Sequence, residues 1–146
     1  MGYTHYHPRA AKLDAQKFSK FSRDCKLLKR AAEAQGVKVR FEYDVPRPAV
    51  FSEDVVRFNG INDDGHETFY LPLETHDGSP YDGRIFAFCK TARKPYDLLV
   101  TACLIMAKHH FGKDVCVTSD GEQSDWDAGR GLCLSALGHD KPFKLG

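Results

Sequence analysis

The segment "RIFAFCKTARKPYDLLVTACLIMAKHHFGKDVCVTSDG", residues 84–121, decides the fold. Its opening, "RIFAFCK", is apolar on both faces, as expected for a strand buried in the middle of a sheet. Pro95 suits the first turn of a helix that is apolar nearly all round and ends at Gly112. "DVCVTSDG" then indicates a second buried strand. A strand–helix–strand crossover with short connections places its strands parallel when both lie in one sheet, so we predict one parallel pair.

Three cations, Lys90, Arg93 and Lys94, stand between the first of these strands and the helix. The carboxyl ends of parallel strands meet at one edge of a sheet, where ligands tend to bind. The first turn of the helix adds unpartnered backbone N–H groups and a partial positive charge. The sequence therefore predicts a site for a phosphate or a carboxylate at this edge. The predicted ligand-binding residues are Lys90, Thr91, Arg93, Lys94, Ser119 and Asp120.

A simpler interpretation of the same cations stays open. Arg93 and Lys94 can be solvated, while Lys90 pairs with a carboxylate such as Asp120 or Asp97. No glycine-rich cradle of the P-loop or dinucleotide type precedes the helix, so a standard nucleotide-binding fold is not supported.

A long amphipathic helix is predicted over residues 15–35, because apolar residues recur there at steps of three and four. Asp14 can cap this helix and Gly36 can end it. Residues 1–40 hold ten Lys or Arg against three acidic residues, although the whole chain carries a net charge of only +1. This asymmetry indicates either a face for an anionic partner, nucleic acid included, or a solvated helix packed on an acidic body.

The other elements are shorter. "YTHYH" and "VKVRFEY" are each typical of a strand, and "DVVRFNGI" and "HETFYLPLE" flank the turn "NDDG" as a hairpin. "THDGSPYDG", residues 75–83, is a polar loop and a candidate lid. A last helix is expected to begin at Ser124, which with Asp127 resembles a capping box. The element order predicts an α+β fold, a single domain over residues 1–146 with a mixed, mostly antiparallel sheet, one parallel β-α-β crossover and about three helices.

Composition narrows the class of protein. A chain of 146 residues that is 42% hydrophobic can bury a core, which argues against disorder. The first residues lack the apolar region of a signal peptide, and the longest apolar run, residues 98–107, is too short to span a membrane. The five cysteines are odd in number and form no C-x-x-C pair, so we expect buried thiols in a reducing compartment, the cytoplasm.

The histidines are the second group that could do chemistry. His5 and His7 are two residues apart, which on a strand aims both at one face, but no third ligand is fixed by spacing. No metal and no cofactor is therefore predicted. His66 and Glu67 follow the hairpin turn, and because adjacent residues on a strand face opposite sides, only one of them can join a given site. The candidates for a catalytic role are His66, His5 and Asp120.

Three stretches carry a resemblance to a known group. These are "MGYTHY" at the start, "RFNGINDDGHETF" at residues 57–69, and "FCKTARKPYD" followed by "SDGEQSDW". Together they resemble small proteins of bacteriophages and prophages that begin MGYTHYW. This chain has His7 where that tryptophan is expected. The resemblance implies a phage accessory protein that acts in the cytoplasm of an infected bacterium, and such proteins often antagonise host defence.

Three functional hypotheses follow. The first is a non-enzymatic binder of a nucleotide-like or nucleic-acid anion at the Lys90–Lys94 rim. The second is a small hydrolase or transferase of phosphate-containing substrates, with His66 or His5 as acid or base and the rim cations on the phosphate. The third is an interaction protein whose basic helix, residues 15–35, binds a host defence protein.

Overall fold

The computed structural model describes residues 2–76, 78, 80–81 and 83–146. It has three α-helices and nine short strands within these residues. The helices are α1 (Ala15–Ala34), α2 (Asp97–Phe111) and α3 (Asp127–Leu137). The strands are β1 (Thr4–Tyr6), β2 (Val39–Arg40), β3 (Val50–Phe51), β4 (Val55–Gly60), β5 (Phe69–Pro72), β6 (Pro80–Tyr81), β7 (Arg84–Ile85), β8 (Phe88–Lys90) and β9 (Thr118–Ser119). The predicted α+β fold class with mostly antiparallel sheets and three helices is confirmed.

The N-terminal strand changes the predicted crossover. In a three-stranded sheet β1 lies between β8 and β9 and pairs antiparallel with both, through Thr4 with Lys90 and His5 with Ser119. The strands β8 and β9 therefore run in the same direction without being neighbours. All pairings of the described strands are antiparallel, so the predicted parallel pair is not found there. The physical reason is that β1 occupies the ladder positions that β8 and β9 would otherwise share.

The predicted hairpin forms around β4. This strand pairs antiparallel with β2, β3 and β5, and the pair of Phe58 with Phe69 closes the hairpin. Its turn contains a short 3₁₀ helix over Asn62–Asp64. The Asn59 side chain spans the turn, because its amide donates to the carbonyl oxygen of His66 at 2.9 Å and its oxygen accepts from the backbone N–H of His66 at 3.0 Å.

The three helices pack against one another and share one apolar core with the sheets. Asp14 caps α1 by accepting from the Lys17 backbone N–H, as the sequence predicts. The start of α3 differs from the prediction, because the capping box is formed by Glu122 and Asp125 around a 3₁₀ turn. Packing of α3 on α2 depends on Gly129, where a Cβ would lie 2.4 Å from the Thr101 hydroxyl oxygen.

The segment predicted as one strand over residues 84–90 forms β7 and β8, with residues 86–87 between them. Backbone hydrogen bonds of Arg9 with Ile85, and of His7 with Ala87, continue the contact with the chain that follows β1. Of the candidate lid over residues 75–83, positions 77, 79 and 82 lie outside the described residues. No helix in the described part of the chain is long and apolar enough to cross a membrane.

Candidate anion-binding site

The predicted rim is a tight turn between β8 and α2, which we call the basic turn (residues 90–94). The Lys94 backbone N–H donates to the carbonyl oxygen of Thr91 at 3.0 Å. Ala92 and Arg93, between them, have φ angles of 52° and 58°, in the left-handed region that non-glycine residues avoid. Each such residue costs about 1–3 kcal/mol, so the surrounding structure has to hold the turn in place.

The N-terminal strand provides part of that support. The carbonyl oxygen of Tyr3 accepts from the backbone N–H groups of both Thr91 and Ala92, at 3.1 and 3.2 Å. Thr91 is wholly buried, and its hydroxyl donates to Asp97 Oδ1 at 2.6 Å. The turn is thus fixed on one side by Tyr3, the residue before β1, and on the other by Asp97, the first residue of α2.

His5 completes a buried polar network beneath the basic turn. Its side chain is wholly buried, with Nε2 2.6 Å from Asp97 Oδ1 and Nδ1 2.8 Å from Ser119 Oγ. Because a carboxylate only accepts, Nε2 donates to Asp97. The rings of Tyr3 and Trp126 meet the imidazole edge-on, with centroids at 4.9 and 4.7 Å. The network joins β1, β9 and α2, and so brings three predicted residues together: His5, Thr91 and Ser119.

Ser119, His5 and Asp97 have the hydrogen-bond order of a catalytic triad, but the geometry favours a structural role. Ser119 faces Nδ1, whereas the serine of a triad faces Nε2. Ser119 Oγ also accepts from the Gly121 backbone N–H at 2.9 Å. A wholly buried base and an oxygen with two partners already in place leave little room for a substrate carbonyl. We therefore assign the network to positioning the basic turn.

The start of α2 does not offer its backbone to an anion, contrary to the sequence prediction. The N–H of Asp97 donates to the carbonyl oxygen of Lys94 at 2.9 Å. In the same way Leu98 donates to Pro95 at 3.4 Å, and Leu99 donates to Tyr96 at 3.0 Å. The chain winds into the helix through a turn, so these donors find partners before the regular helix begins. Asp97, which the sequence offered as a possible partner of Lys90, instead directs its carboxylate at His5 and Thr91. An anion here has to be held by side chains.

The other predicted rim residues are engaged elsewhere. Arg93 lies with its guanidinium carbon 3.9 Å from the centroid of the Tyr3 ring and with Nη1 3.3 Å from Asp125 Oδ1, although 62% of its side chain is exposed. Burial is the main cause that raises the pKa of Tyr3 to about 12, so the ring stays neutral. Asp120 accepts from the Thr4 backbone and from the Tyr6 hydroxyl, and the latter hydrogen bond raises the pKa of Tyr6.

Lys90 and Lys94 remain available. Among the described residues, no carboxylate lies within ion-pair distance of either ammonium group, so the expected pairing of Lys90 with Asp120 or Asp97 is not found there. The Lys90 side chain runs past Gly2, where a Cβ would lie 2.9 Å from its Cε.

Lys94 lines a cleft of about 440 Å³ between the basic turn and the hairpin turn. We call it the Lys94 cleft; its lining residues are Tyr43, Asn62, Asp63, Gly65, His66, Glu67 and Lys94. His66 is exposed there, and both it and Glu67 line the cleft. The expectation that only one of them can join a site is wrong, because β5 begins at Phe69 and the two residues precede its alternation.

The predicted site is therefore divided. Lys94 and His66 share the cleft, whereas Arg93 stacks on Tyr3. Ser119 and Asp120 form hydrogen bonds with residues of β1. Sequence reasoning missed Tyr3, and it missed Asp97 as the centre of the network. Within the described ranges, no group of three or more His, Cys, Asp or Glu side chains is arranged to hold a metal ion.

A scan against protein-family models finds no match to this chain. Searches of curated proteins and of solved structures find no similar protein either.

Proposed function

We propose that this chain binds an anionic, nucleotide-like ligand in the Lys94 cleft without catalysing a reaction. The observation that carries the proposal is Lys94 itself, a cation with no carboxylate partner among the described residues, held at the cleft wall by the strained basic turn. Strained backbone of this kind clusters at functional sites. A volume of about 440 Å³ lies within the usual range of small-molecule sites.

The other walls suit the rest of a nucleotide. Tyr43 is 48% exposed and offers an aromatic face on which a base can stack. Asn62 and Asp63 provide oxygens that can accept from sugar hydroxyl or base amino groups. Asp63 and Glu67 are acidic, so the phosphate is expected on the Lys94 side of the cleft.

The biological context is part of the same proposal. The resemblance of residues 1–6, 57–69, 88–97 and 119–126 to phage proteins supports a phage accessory protein in the cytoplasm of an infected bacterium. A binder of nucleotide signals in that place would antagonise host defence by sequestering the signal.

A thermal-shift screen of nucleotides and cyclic dinucleotides, at low and moderate salt, tests the proposal. We expect at least one compound to raise the melting temperature, and Lys94→Ala to weaken its binding about tenfold, which is about 1.4 kcal/mol. Lys113→Ala is the control, because Lys113 is an exposed lysine outside the cleft. No shift with any compound, or equal loss in both variants, contradicts the proposal.

A second candidate function has one specific observation in its favour, since His66 and Lys94 line the same cleft. In that arrangement His66 would act as acid or base while Lys94 holds the phosphate of a phosphoester. Product formation from the compounds that bind, lost in His66→Ala with binding retained, would favour this hydrolase or transferase. Binding with no product in the wild-type protein favours the non-enzymatic function.

The third hypothesis concerns the polar face of α1. Lys20, Arg23, Lys26 and Arg30 are exposed, and none of them is in an ion pair with a described residue. Such a face fits an acidic surface of a host defence protein. Capture of that protein from bacterial lysate should then survive Lys94→Ala and fail in the double variant Lys26→Glu, Arg30→Glu.

A further inference from the structure

Arg9 is a buried cation that holds the chain after β1 against the end of β5. Only 1% of the residue is exposed. Its Nε donates to the carbonyl oxygen of Ala10 at 3.0 Å, and Nη2 donates to that of Leu73 at 3.0 Å. Nη1 donates to the carbonyl oxygen of Pro72. All three partners are neutral main-chain groups.

The charge of Arg9 has no counterion among the described residues, because no carboxylate there lies within ion-pair distance of its guanidinium. Buried charges in proteins are normally paired, since removing an ion from water is costly. Burial lowers the pKa of Arg9 to about 10, which still leaves it cationic at neutral pH. A guanidinium has five N–H donors, and described acceptors account for three of them.

Arg9 lines a cavity of about 300 Å³ whose other walls are mainly apolar, which we call the Arg9 cavity. The walls include Tyr70, Pro72, Ile85, Phe86 and Phe88. Tyr70 and Phe88 are 51% and 50% exposed, so their rings are accessible to a ligand at the cavity mouth. The ring of Phe88 lies 5.4 Å from that of Phe86, so the aromatic surface is continuous.

We propose that the Arg9 cavity binds a small monocarboxylate with an apolar body, its carboxylate facing Arg9 and its body against Phe86 and Phe88. A cation beside apolar walls selects a ligand that has one negative charge and little other polarity. A phosphate dianion would need more donors than the guanidinium has left. A volume near the lower end of ligand sites limits the body to a single ring or a short chain. The site shares no lining residue with the Lys94 cleft.

Titration of the full chain by two-dimensional ¹H–¹⁵N NMR tests this. The probes are 3-phenylpropionate and hexanoate, and the matched control is 3-phenylpropanamide, which has the same body without the charge. We expect at least one acid to bind at millimolar concentration or below, at least tenfold more tightly than the amide. The backbone signals of Tyr70 and Phe88 should move. A preference between the two acids distinguishes an aromatic from an aliphatic body.

Two truncations on the surface locate the binding without disturbing the buried Arg9. Phe88→Ala should weaken the bound acid at least fivefold, whereas Leu134→Ala should not. Leu134 is a fair control, because it is 54% exposed on α3 and lies outside the cavity. Lys94→Ala should also leave this binding unchanged, so a failure of the monocarboxylate proposal can be distinguished from a failure of the nucleotide proposal.

Three results would overturn the proposal. They are no binding of either acid at millimolar concentration, equal affinity for the acid and the amide, and binding that Phe88→Ala leaves intact.

Discussion

His5 and His7 lie two residues apart and are both almost wholly buried, yet their surroundings are opposite. Both ring nitrogens of His5 have polar partners, Asp97 and Ser119. The ring of His7 packs on Phe69 with centroids 5.5 Å apart. The main chain of Tyr70 lies close to His7, but neither ring nitrogen makes a hydrogen bond of ordinary geometry with any described residue.

The difference shows which position requires a histidine. A buried polar group without a partner costs about 1–3 kcal/mol, whereas one in a satisfied network stabilises the fold. Position 5 specifies an imidazole because two elements present a hydroxyl and a carboxylate to it. At position 7 the imidazole packs on the Phe69 ring, and burial lowers the pKa of His7 to about 3, with the charge of Arg9 as a smaller cause.

The largest effect is expected from His5→Met. Methionine adapts to irregular core spaces, but it would leave the Asp97 carboxylate and the Ser119 hydroxyl each without one buried partner. We expect the free energy of unfolding to fall by about 3 kcal/mol, measured by urea denaturation at pH 7. Ligand binding in the Lys94 cleft should weaken too, because the same network holds the basic turn. A loss below about 1 kcal/mol would mean that the network contributes little.

The pH dependence of stability gives the next largest effect. The folded pKa of His7 is depressed to about 3, from an ordinary value near 6.5, so the unfolded chain takes up the proton more readily. Its contribution to stability is complete above pH 6.5 and is lost as the pH falls from 6.5 toward 3. At pH 5 the loss is about 2 kcal/mol. His7→Met should remove this part of the acid dependence.

Urea midpoints between pH 7 and 4 measure that difference. His109 and His139 also have pKa values lowered by burial, so some acid dependence should persist in the variant. Parallel curves for the wild type and His7→Met would show that His7 has the same pKa in the folded and unfolded states, and would break the comparison with His5.

At pH 7 the same His7→Met variant should be more stable than the wild type by about 1 kcal/mol, because it removes two buried ring nitrogens without hydrogen bonds. One substitution would then have opposite signs at positions 5 and 7. If both variants lose stability equally, burial and shape rather than polar satisfaction decide the two sites. Wild-type and variant melting curves in one buffer suffice to tell these outcomes apart.

Local patterns predicted most of the fold. The steps of three and four over residues 15–35 correspond to α1, and the apolar run after Pro95 corresponds to α2. The hairpin follows from the alternation around "NDDG". The place of β1 could not be predicted, because a strand of three residues carries no information about which ladder it joins. Its insertion between β8 and β9 is determined by tertiary packing and not by local sequence.

The insertion of β1 also explains which residues of the candidate site could be predicted from the sequence and which could not. Lys94 and His66 were both singled out by their neighbours in sequence, and the structure places them in one cleft. Asp97 was considered as a possible partner of Lys90 and not of His5, because its contact with His5 becomes apparent only when β1 is in place. Ser119 was predicted to bind the ligand, but its hydroxyl is hydrogen-bonded to His5.

The smallest effect tests the strain that the His5 network supports. Ala92 has a φ of 52°, a conformation that glycine adopts without a steric penalty. Ala92→Gly should therefore raise the free energy of unfolding by about 0.5–1 kcal/mol, after the entropy that glycine adds to the unfolded chain. Ala87→Gly, at a position without positive φ, should lower it by a similar amount. If strain in the basic turn also keeps Lys94 at the cleft wall, Ala92→Gly should gain stability and lose ligand affinity together. A gain in both stability and affinity would show that the strained turn is not needed for ligand binding.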